Sequence, residues 1–280
     1  MGPSPWTPPG SELKQEMSNE RPLILVTNDD GVMAPGIRAL REALGEVGEV
    51  VVAAPDRERS AASHSISLDR PLRVDEIEPG TFSIDGTPVD CVYLAVLHLV
   101  KRRPSLVVSG INNGFNLGSD VFYSGTVAGA VEGALRGVPA LAVSLERRKP
   151  QDFSHAAAFA RAMAAEIIRR GPTALPDASL LSVNLPGGPI RGYQVTFLGR
   201  RVYRDQVEVR RDLRDRSYYW IGGPEENATD LPGSDCSAVR AGLASVTPLG
   251  LDLTHARLAD ELVGWKVGNF VHEAIERARG

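Results

Sequence analysis

The order of apolar runs along the chain is the feature that most constrains its fold. Short continuous apolar runs alternate with stretches of helical periodicity between Leu23 and Leu185. The first three are LILVT, the helical IRALREAL and VVVAAP, and this pattern predicts a βαβ unit. Strands that are apolar throughout indicate a parallel sheet covered on both faces. We therefore predict an α/β fold with a doubly wound, mostly parallel, Rossmann-like sheet.

The following segments continue the alternation. The sequence predicts a short hairpin at LRV and FSI, helices at Val89–Val100, TVAGAVEGALRG and Phe153–Arg170, and strands at SLVVSG, PALAVS and LLSVNLP. The small residues of TVAGAVEGALRG allow that helix to lie close to the sheet. Beyond Pro186 the pattern changes, and the alternating segments YQVTF, RVYRDQVEVR and SYYWIGG predict hairpins.

Three regions follow from this organisation. Residues 1–20 are rich in proline and lack apolar periodicity, so we predict a disordered leader, with Met17 as an alternative start. We predict that residues 21–186 form the Rossmann-like core. We predict that residues 187–280 form a smaller C-terminal region of hairpins and an arm, part of which returns to the core. The arginines of this region alternate with Asp and Glu, which favours a solvated strand face.

Charge and composition exclude several classes of partner. The chain has 31 Lys and Arg against 35 Asp and Glu, a net charge of −4, so no global positive field attracts a nucleic-acid polymer. The longest apolar stretch, at 91–100, is too short to span a membrane, and the N-terminus lacks the pattern of a signal peptide. The two cysteines, Cys91 and Cys236, suit a reducing compartment. We expect a cytoplasmic protein.

Two adjacent carboxylates follow the first predicted strand, in the segment TNDDGVMAPG. In open parallel sheets, ligands bind beyond the carboxyl ends of the strands, close to the point where the strand order reverses. Asp29 and Asp30 lie at such an end and repel one another, and a hard divalent cation relieves that repulsion. They are therefore candidate metal ligands. The dipeptide alone is equally compatible with an Asx turn or a helix N-cap that uses one of the two side chains.

A second polar segment, APDRERSAASHSIS, follows the second predicted strand. It places the hydroxyls of Ser60, Ser63 and Ser65 near the aspartates if the two strands are neighbours, and such oxygens suit a phosphate or a metal. His64 titrates near neutral pH and is a candidate general acid or base. Serine-rich loops are nevertheless common structural features, and a single loop histidine is more often only a hydrogen-bond donor.

The third polar segment, SGINNGFNLGSDVFYSGTVAGA, lies between a predicted strand and the helix of small residues. Its asparagines offer neutral oxygens to a metal and amide donors to a phosphate. They are Asn112, Asn113 and Asn116. The run Ser124-Gly125-Thr126 then opens the helix, whose exposed N–H groups favour an anion. This pattern predicts a phosphate site; the alternative is a capped helix after a flexible loop.

Several familiar motifs are absent from the sequence. No G-x-G-x-x-G follows the first strand and no G-x-x-x-x-G-K-[ST] occurs, which disfavours dinucleotide oxidoreductases and P-loop proteins. The sequence has neither H-E-x-x-H nor paired CxxC motifs, so a metal would be oxygen-bound Mg²⁺ or Mn²⁺ rather than zinc. G-x-S-x-G is missing too, which disfavours an α/β-hydrolase.

Taken in order, these segments resemble the SurE (survival protein E) family of metal-dependent 5′/3′-nucleotidases. The matching segments are ILVTNDDG, APDRERSAASHS, GTPVDCV, SGINNGFNLGSDVFYSGTVAGAVEG and DCSAVRAGLASVTPLGLDLT, and they span nearly everything from Leu23 to Thr254. The chain departs from the family pattern at Ser67, where relatives tend to have Thr, and at Ser234 and Cys236, where Thr and an aromatic residue are more usual.

The resemblance implies a metal-dependent phosphomonoesterase that hydrolyses nucleoside 5′- and 3′-monophosphates, with short polyphosphate as a second substrate. It implies one Mg²⁺ or Mn²⁺ per subunit, with the two aspartates both catalytic and metal-binding. By position, the metal ligands are Asp29, Asp30, Ser60 and Asn112, and the phosphate contacts are Asn116, Ser124, Gly125 and Thr126. The resemblance also implies a homodimer or homotetramer assembled through the C-terminal hairpins and arm.

Other functions stay open on the residues alone. The same loops would serve a non-catalytic nucleotide or phosphate sensor, and the Arg-rich segment would serve a structural assembly protein. Paired acids near a strand end also suit the diphosphate of a metal-dependent nucleotide-sugar transferase. Release of inorganic phosphate from a monophosphate, without an acceptor, distinguishes the phosphatase from all three.

Overall fold

The computed structural model describes residues 20–203, 206–222, 225–229 and 231–265, so most of the predicted leader lies outside the described residues. The strands are β1 (Leu23–Thr27), β2 (Glu49–Pro55), β3 (Val74–Glu78), β4 (Thr81–Ile84), β5 (Leu106–Asn113), β6 (Ala140–Leu145), β7 (Ser179–Leu185), β8 (Tyr193–Val195), β9 (Arg200–Tyr203), β10 (Gln206–Arg211), β11 (Ser217–Gly222), β12 (Glu225–Thr229) and β13 (Ala244–Gly250). The helices are α1 (Pro35–Leu44), α2 (Pro88–Leu94), α3 (Gly125–Leu135), α4 (Ser154–Arg170), α5 (Asp235–Arg240) and α6 (Ala256–Val263).

A nine-stranded sheet in the order β3-β4-β2-β1-β5-β6-β7-β13-β8 forms the centre of the fold. Its pairs are parallel except β3–β4 and β7–β13, which are antiparallel. Strand β1 is fully buried, as its continuous apolar sequence predicts. The prediction of a doubly wound, mostly parallel α/β sheet is therefore confirmed.

Helices cover both faces of the sheet. On one face α1 and α4 bury Ile37, Leu40 and Ala160 against β1 and β5, and on the other α2 and α3 bury Val92 and Ala130. The apolar residues of α1 and α4 recur at helical spacing, so one side of each of these helices packs on the sheet while the other faces water. Helix α3 is buried on nearly all sides. In the described residues no helix has the length and apolar character needed to cross a membrane.

The small residues of α3 bring that helix into direct contact with the sheet, as the sequence predicts. A Cβ added to Gly133 would lie 2.7 Å from the Val107 Cβ, and one added to Gly129 would lie 2.8 Å from the Thr27 Cγ2. Such distances are shorter than any normal carbon–carbon contact, so larger residues would force the helix away. The close approach places the N-terminus of α3 beside the carboxyl end of β1.

The C-terminal strands differ in part from the predicted hairpins. Strands β10 and β11 form an antiparallel hairpin, and β12 pairs antiparallel with β9. The prediction for YQVTF is wrong, because β8 from this segment pairs in parallel with β13 and not with its neighbour in sequence. Alternating polarity predicts a strand with one buried face, but it does not identify the partner of that strand.

Two further elements differ in their bounds. The predicted helix Val89–Val100 is α2 followed by a π-helical turn at Ala95–Leu99, and the apolar run that predicts it does not distinguish the two helix types. The predicted LRV–FSI hairpin is the β3–β4 pair, with β3 starting at Val74 because its mostly exposed residues carry no apolar pattern.

The strand order reverses beside β1. Strand β2 lies on one side of β1 and β5 on the other, so the loops that leave these three strands at their carboxyl ends diverge at this point. A crevice between diverging loops is where open α/β sheets bind ligands. The three polar segments identified in the sequence are the loops that follow β1, β2 and β5.

Candidate active site

The three polar loops meet at Asp29 and Asp30. The backbone N–H of Arg59, in the loop after β2, donates to the Asp29 carbonyl oxygen at 2.7 Å. The backbone N–H of Asn113, at the end of β5, donates to the Asp30 Oδ2 at 3.2 Å. The structure thus brings together segments that the sequence predicts to be neighbours.

The turn after β1 is made by Asn28 and Gly31. The Asn28 side chain donates to the Gly31 carbonyl oxygen at 2.9 Å and accepts from the Gly31 N–H at 3.2 Å. Gly31 has a φ of +99°, and a Cβ there would lie 3.1 Å from the backbone of Arg57, so this position favours glycine. Because Asn28 makes the turn, neither aspartate side chain is needed for it.

Asp29 is buried against the N-terminus of α3. Only 5 % of its surface is exposed, and its Oδ1 accepts a hydrogen bond from the Thr126 hydroxyl. Burial raises the pKa of Asp29 to about 6, the Thr126 hydrogen bond lowers it in part, and the charge of Asp30 raises it further. Within the described residues, no cationic side chain pairs with this carboxylate.

Asp30 is half-buried beneath the end of β5. Burial raises the pKa of Asp30, the Asn113 hydrogen bond lowers it, the Glu58 charge raises it and the Arg147 charge lowers it. Asp29, Asp30 and Glu58 therefore concentrate negative charge that Arg147 offsets only in part. Such a site favours a cation over an additional anion.

The other two predicted metal ligands lie in the adjoining loops. Ser60 is exposed, and its hydroxyl donates to the Glu58 Oε1 at 2.6 Å. Asn112 is half-buried, and its Nδ2 donates to the Gly114 carbonyl oxygen at 2.9 Å. Among the described residues, neither side chain bonds directly to an aspartate. Their roles as ligands stay predictions.

The predicted phosphate contacts already make bonds within the protein. Asn116 is buried, and its Nδ2 donates to the Ser144 Oγ at 2.8 Å while its backbone bonds to the Asn184 side chain. Ser124 caps α3 by accepting from the Val127 N–H at 3.1 Å. These bonds hold the loop and the helix start in place, and phosphate binding by Asn116, Ser124, Gly125 and Thr126 stays a prediction.

His64 is held by the middle of α3. Its Nε2 lies 3.3 Å from the Glu132 Oε2, and Glu132 is buried and also accepts from the Arg136 Nε at 2.8 Å. The hydroxyl of Ser63 donates to the Phe122 carbonyl oxygen at 2.6 Å. These contacts connect the loop after β2 to α3 and to the segment that precedes it, so His64 has a structural role in positioning this loop.

Sequence reasoning gave no specific role to three groups that act on the aspartates, namely Asn113, Glu58 and Arg147. The backbone N–H of Asn113 orients Asp30, and its side-chain Oδ1 is buried with no hydrogen-bond partner in the described structure. Its position beside Asn112 in the segment INN is a signal that could have identified it. No sequence pattern identifies Glu58 and Arg147 as neighbours of the aspartates, because charged residues are common in loops.

The available donors fit a hard divalent cation. They are two desolvated carboxylates, the unpartnered Asn113 Oδ1 and nearby amide and hydroxyl oxygens, and oxygen ligands suit Mg²⁺, Mn²⁺ and Ca²⁺. The described residues contain no group of three or more His, Cys, Asp or Glu side chains suited to a metal. A cation here would therefore need neutral oxygens besides the two carboxylates.

Comparisons with known proteins all match this chain to the same family. The model of the family described as Survival protein SurE matches residues 24–205. The chain is 54 % identical over 258 residues to the 5'-nucleotidase SurE of Myxococcus xanthus, covering 91 % of this chain and 97 % of that protein. It is also 54 % identical over 254 residues to the 5'-nucleotidase SurE of Anaeromyxobacter dehalogenans, covering 89 % and 98 %.

A solved structure agrees with these sequence matches. The crystal structure of the SurE protein from Aquifex aeolicus superposes with a TM-score of 0.77 at 40 % identity, covering 86 % of this chain and 98 % of that one. Identity at this level over nearly the whole of each partner goes beyond a shared fold. The chain belongs to the SurE family.

Proposed function

We propose that this chain is a divalent-metal-dependent nucleotidase that hydrolyses nucleoside 5′- and 3′-monophosphates to nucleoside and phosphate. The observation that carries the proposal is the pair of desolvated carboxylates at the strand-order reversal, whose negative charge Arg147 offsets only in part. Relatives that are 54 % identical are named 5'-nucleotidases, which supports the same chemistry here. Short polyphosphate is a second proposed substrate.

The proposed cation is one Mg²⁺ or Mn²⁺ per subunit, held by Asp29, Asp30, Ser60 and Asn112. When bound, such a cation supplies Lewis-acid chemistry, because it neutralises charge on phosphoryl oxygens and makes a water more acidic. Thr126 fixes the carboxylate of Asp29 through its hydroxyl. A fixed carboxylate loses little conformational freedom on binding, which favours affinity.

The protein groups around the aspartates suit a phosphomonoester. The N-terminus of α3, at Gly125 and Thr126, favours negative charge, and Arg147 adds a positive side chain next to Asp30. Hydrolysis breaks the bond between phosphorus and the ester oxygen, water supplies the new oxygen, and its proton leaves with the nucleoside hydroxyl. Both carboxylates serve as ligands in this scheme, so no aspartyl phosphate is required.

The β10–β11 hairpin supports the proposed self-association. Val207, Val209, Tyr219 and Trp220 on this hairpin are each more than half exposed, and a two-stranded hairpin alone is marginally stable in water. A second copy that covers these side chains would bury them, in a homodimer or homotetramer built through residues 187–280. Both cysteines are buried and neither forms a disulfide in the described structure, which supports a reducing compartment, and we place the protein in the cytoplasm.

A panel of phosphate-release assays tests the function. With Mn²⁺, we expect inorganic phosphate from 5′-AMP and 3′-AMP without an added acceptor, and slower release from polyphosphate. Saturable AMP binding without phosphate release would instead indicate a sensor, and turnover only of a nucleotide sugar with an acceptor would indicate a transferase. Either result would reject the nucleotidase.

A glycine substitution tests the position of Asp29. Alanine at Gly125 would place a Cβ 2.7 Å from the Asp29 Cβ, so we expect G125A to displace the carboxylate and lower kcat for AMP about 10-fold. The matched control is G133A, whose Cβ would lie 2.7 Å from the Val107 Cβ, away from the aspartates. It should lower the free energy of unfolding by about 1–3 kcal/mol and leave kcat unchanged below its melting temperature. Equal kcat values for the two variants would contradict the proposed position.

A further inference from the structure

A cavity of about 540 Å³ lies next to the loop that follows β5. Its walls come from that loop, from the segments after β6 and β7, and from the end of α5. The residues that matter for its chemistry are Phe115, Leu117, Arg148, Arg191, Cys236 and Val239. Pockets that hold small organic ligands have volumes of roughly 300–1,000 Å³, so the cavity has room for a nucleoside.

Two segments that line the cavity also hold residues that act on the aspartates. Phe115 is two residues beyond Asn113, whose N–H bonds to Asp30, and two residues of chain span at most ~7 Å. On the facing segment, Arg147 donates to the Asn113 carbonyl oxygen at 3.0 Å, and the next residue, Arg148, lines the cavity. A ligand whose phosphate lies at the aspartates would therefore extend its other end towards the cavity.

One wall of the cavity is apolar and another is cationic. Phe115 is half-buried and packs against Leu117 and Cys236. Arg148 is paired with Glu146 at 2.8 Å, whereas the guanidinium group of the exposed Arg191 makes no hydrogen bond or ion pair with the described residues. An aromatic face beside unused guanidinium donors suits a flat ring that carries oxygen and nitrogen acceptors.

We propose that this cavity binds the nucleoside half of the substrate, with the base against Phe115 and Arg191 donating to acceptors on the base edge. The inference rests on the proposed function and assigns these two residues to recognition of the base. A second cavity, of about 490 Å³, runs along α1 from Val32 and Met33, near the aspartates, to Gly45. None of the described residues that line it is aromatic, so it offers no face on which a base could stack.

The test compares substrates with and without a base. Phe115→Leu keeps the apolar contact with Leu117 but removes the aromatic face, and Arg191→Gln removes the charge of an exposed side chain. Because stacking contributes to binding of the base and not to the reacting phosphate, each variant should raise KM for AMP, roughly 10-fold for Phe115→Leu, and leave kcat unchanged. Hydrolysis of ribose 5-phosphate, which has no base, should keep its kcat/KM.

Binding of adenosine gives a readout that does not depend on turnover. Calorimetry should show weaker adenosine binding for both variants. The control Arg170→Gln lies at the end of α4, before the start of β7, whereas the cavity lies beyond the other end of β7, so this variant should bind adenosine as the unchanged protein does. Equal losses with AMP and ribose 5-phosphate, or no change in KM and adenosine binding, would overturn the proposal. If the unchanged protein hydrolysed no monophosphate at all, the proposed function would fail instead, and adenosine binding would still test the cavity.

Discussion

The substitution Asp30→Asn is expected to lower kcat for AMP by at least about 10²-fold. The amide keeps the shape of the side chain and still accepts the hydrogen bond from the Asn113 N–H, but it lacks the negative charge that would hold a cation. A divalent ion contributes several kcal/mol to stabilisation of a phosphoryl transition state, and each ~1.4 kcal/mol is tenfold in rate. The measurement is kcat at saturating AMP and Mn²⁺.

The melting temperature of Asp30→Asn distinguishes a direct loss of kcat from misfolding. Burial raises the pKa of Asp30, so its ionised form is a cost to the metal-free fold, and Asp30→Asn should melt at a temperature no lower than that of the unchanged protein. The matched control is Asp75→Asn on the exposed face of β3, which should keep normal kcat. Near-normal turnover by Asp30→Asn, with a metal still required, would reject the ligand assignment.

Much of the fold follows from the sequence because most of its buried strands carry apolar runs. Strands β1, β2, β5 and β6 each contain at least three consecutive apolar residues, and a sheet covered on both faces buries such runs. The order of the strands at the edges does not follow in the same way. The residues of β8 alternate, and a short alternating segment is equally stable as a hairpin strand or as a parallel edge strand, so the pairing of β8 with β13 requires the structure.

The candidate site is predictable only where the chemistry is local. Adjacent aspartates at the end of a buried strand are unusual enough to identify from sequence, and the repulsion between them is a property of the dipeptide. The contact between Asp29 and Thr126 joins residues 97 positions apart, and no local pattern predicts it. Asn116 shows that a local pattern can also mislead. A polar residue in a glycine-rich loop suggests an exposed ligand contact, but in the structure Asn116 is buried and bonds to Ser144.

Removal of divalent metal should abolish AMP hydrolysis, with activity falling by at least about 10²-fold for the same energetic reason as above. Treatment with a chelator followed by dialysis, and then addition of single cations, tests this. Mg²⁺ or Mn²⁺ should restore turnover better than Ca²⁺, because Ca²⁺ prefers longer bonds and more ligands. Full activity in chelator would contradict a metal-dependent mechanism, whatever the identity of the ligands.

The buried carboxyl of Asp29 should make the stability of the metal-free protein depend on pH in a defined direction. Without metal, the native state keeps a proton on Asp29 between its ordinary pKa of 3.8 and about 6, whereas the unfolded state loses it. The free energy of unfolding should therefore fall as pH rises from about 4 to 6, by about 3 kcal/mol for this group at ~1.4 kcal/mol per pH unit, and should not fall further above pH 6.

Cation binding needs the ionised carboxylate, so added Mn²⁺ should raise the melting temperature little near pH 4.5 and most above pH 6. Asp29→Asn has no such group to titrate. In this variant the free energy of unfolding should fall much less between pH 4 and 6, and Mn²⁺ should raise the melting temperature much less. An equal effect of Mn²⁺ at pH 4.5 and pH 7 in the unchanged protein, or undiminished stabilisation of Asp29→Asn, would show that the metal binds elsewhere.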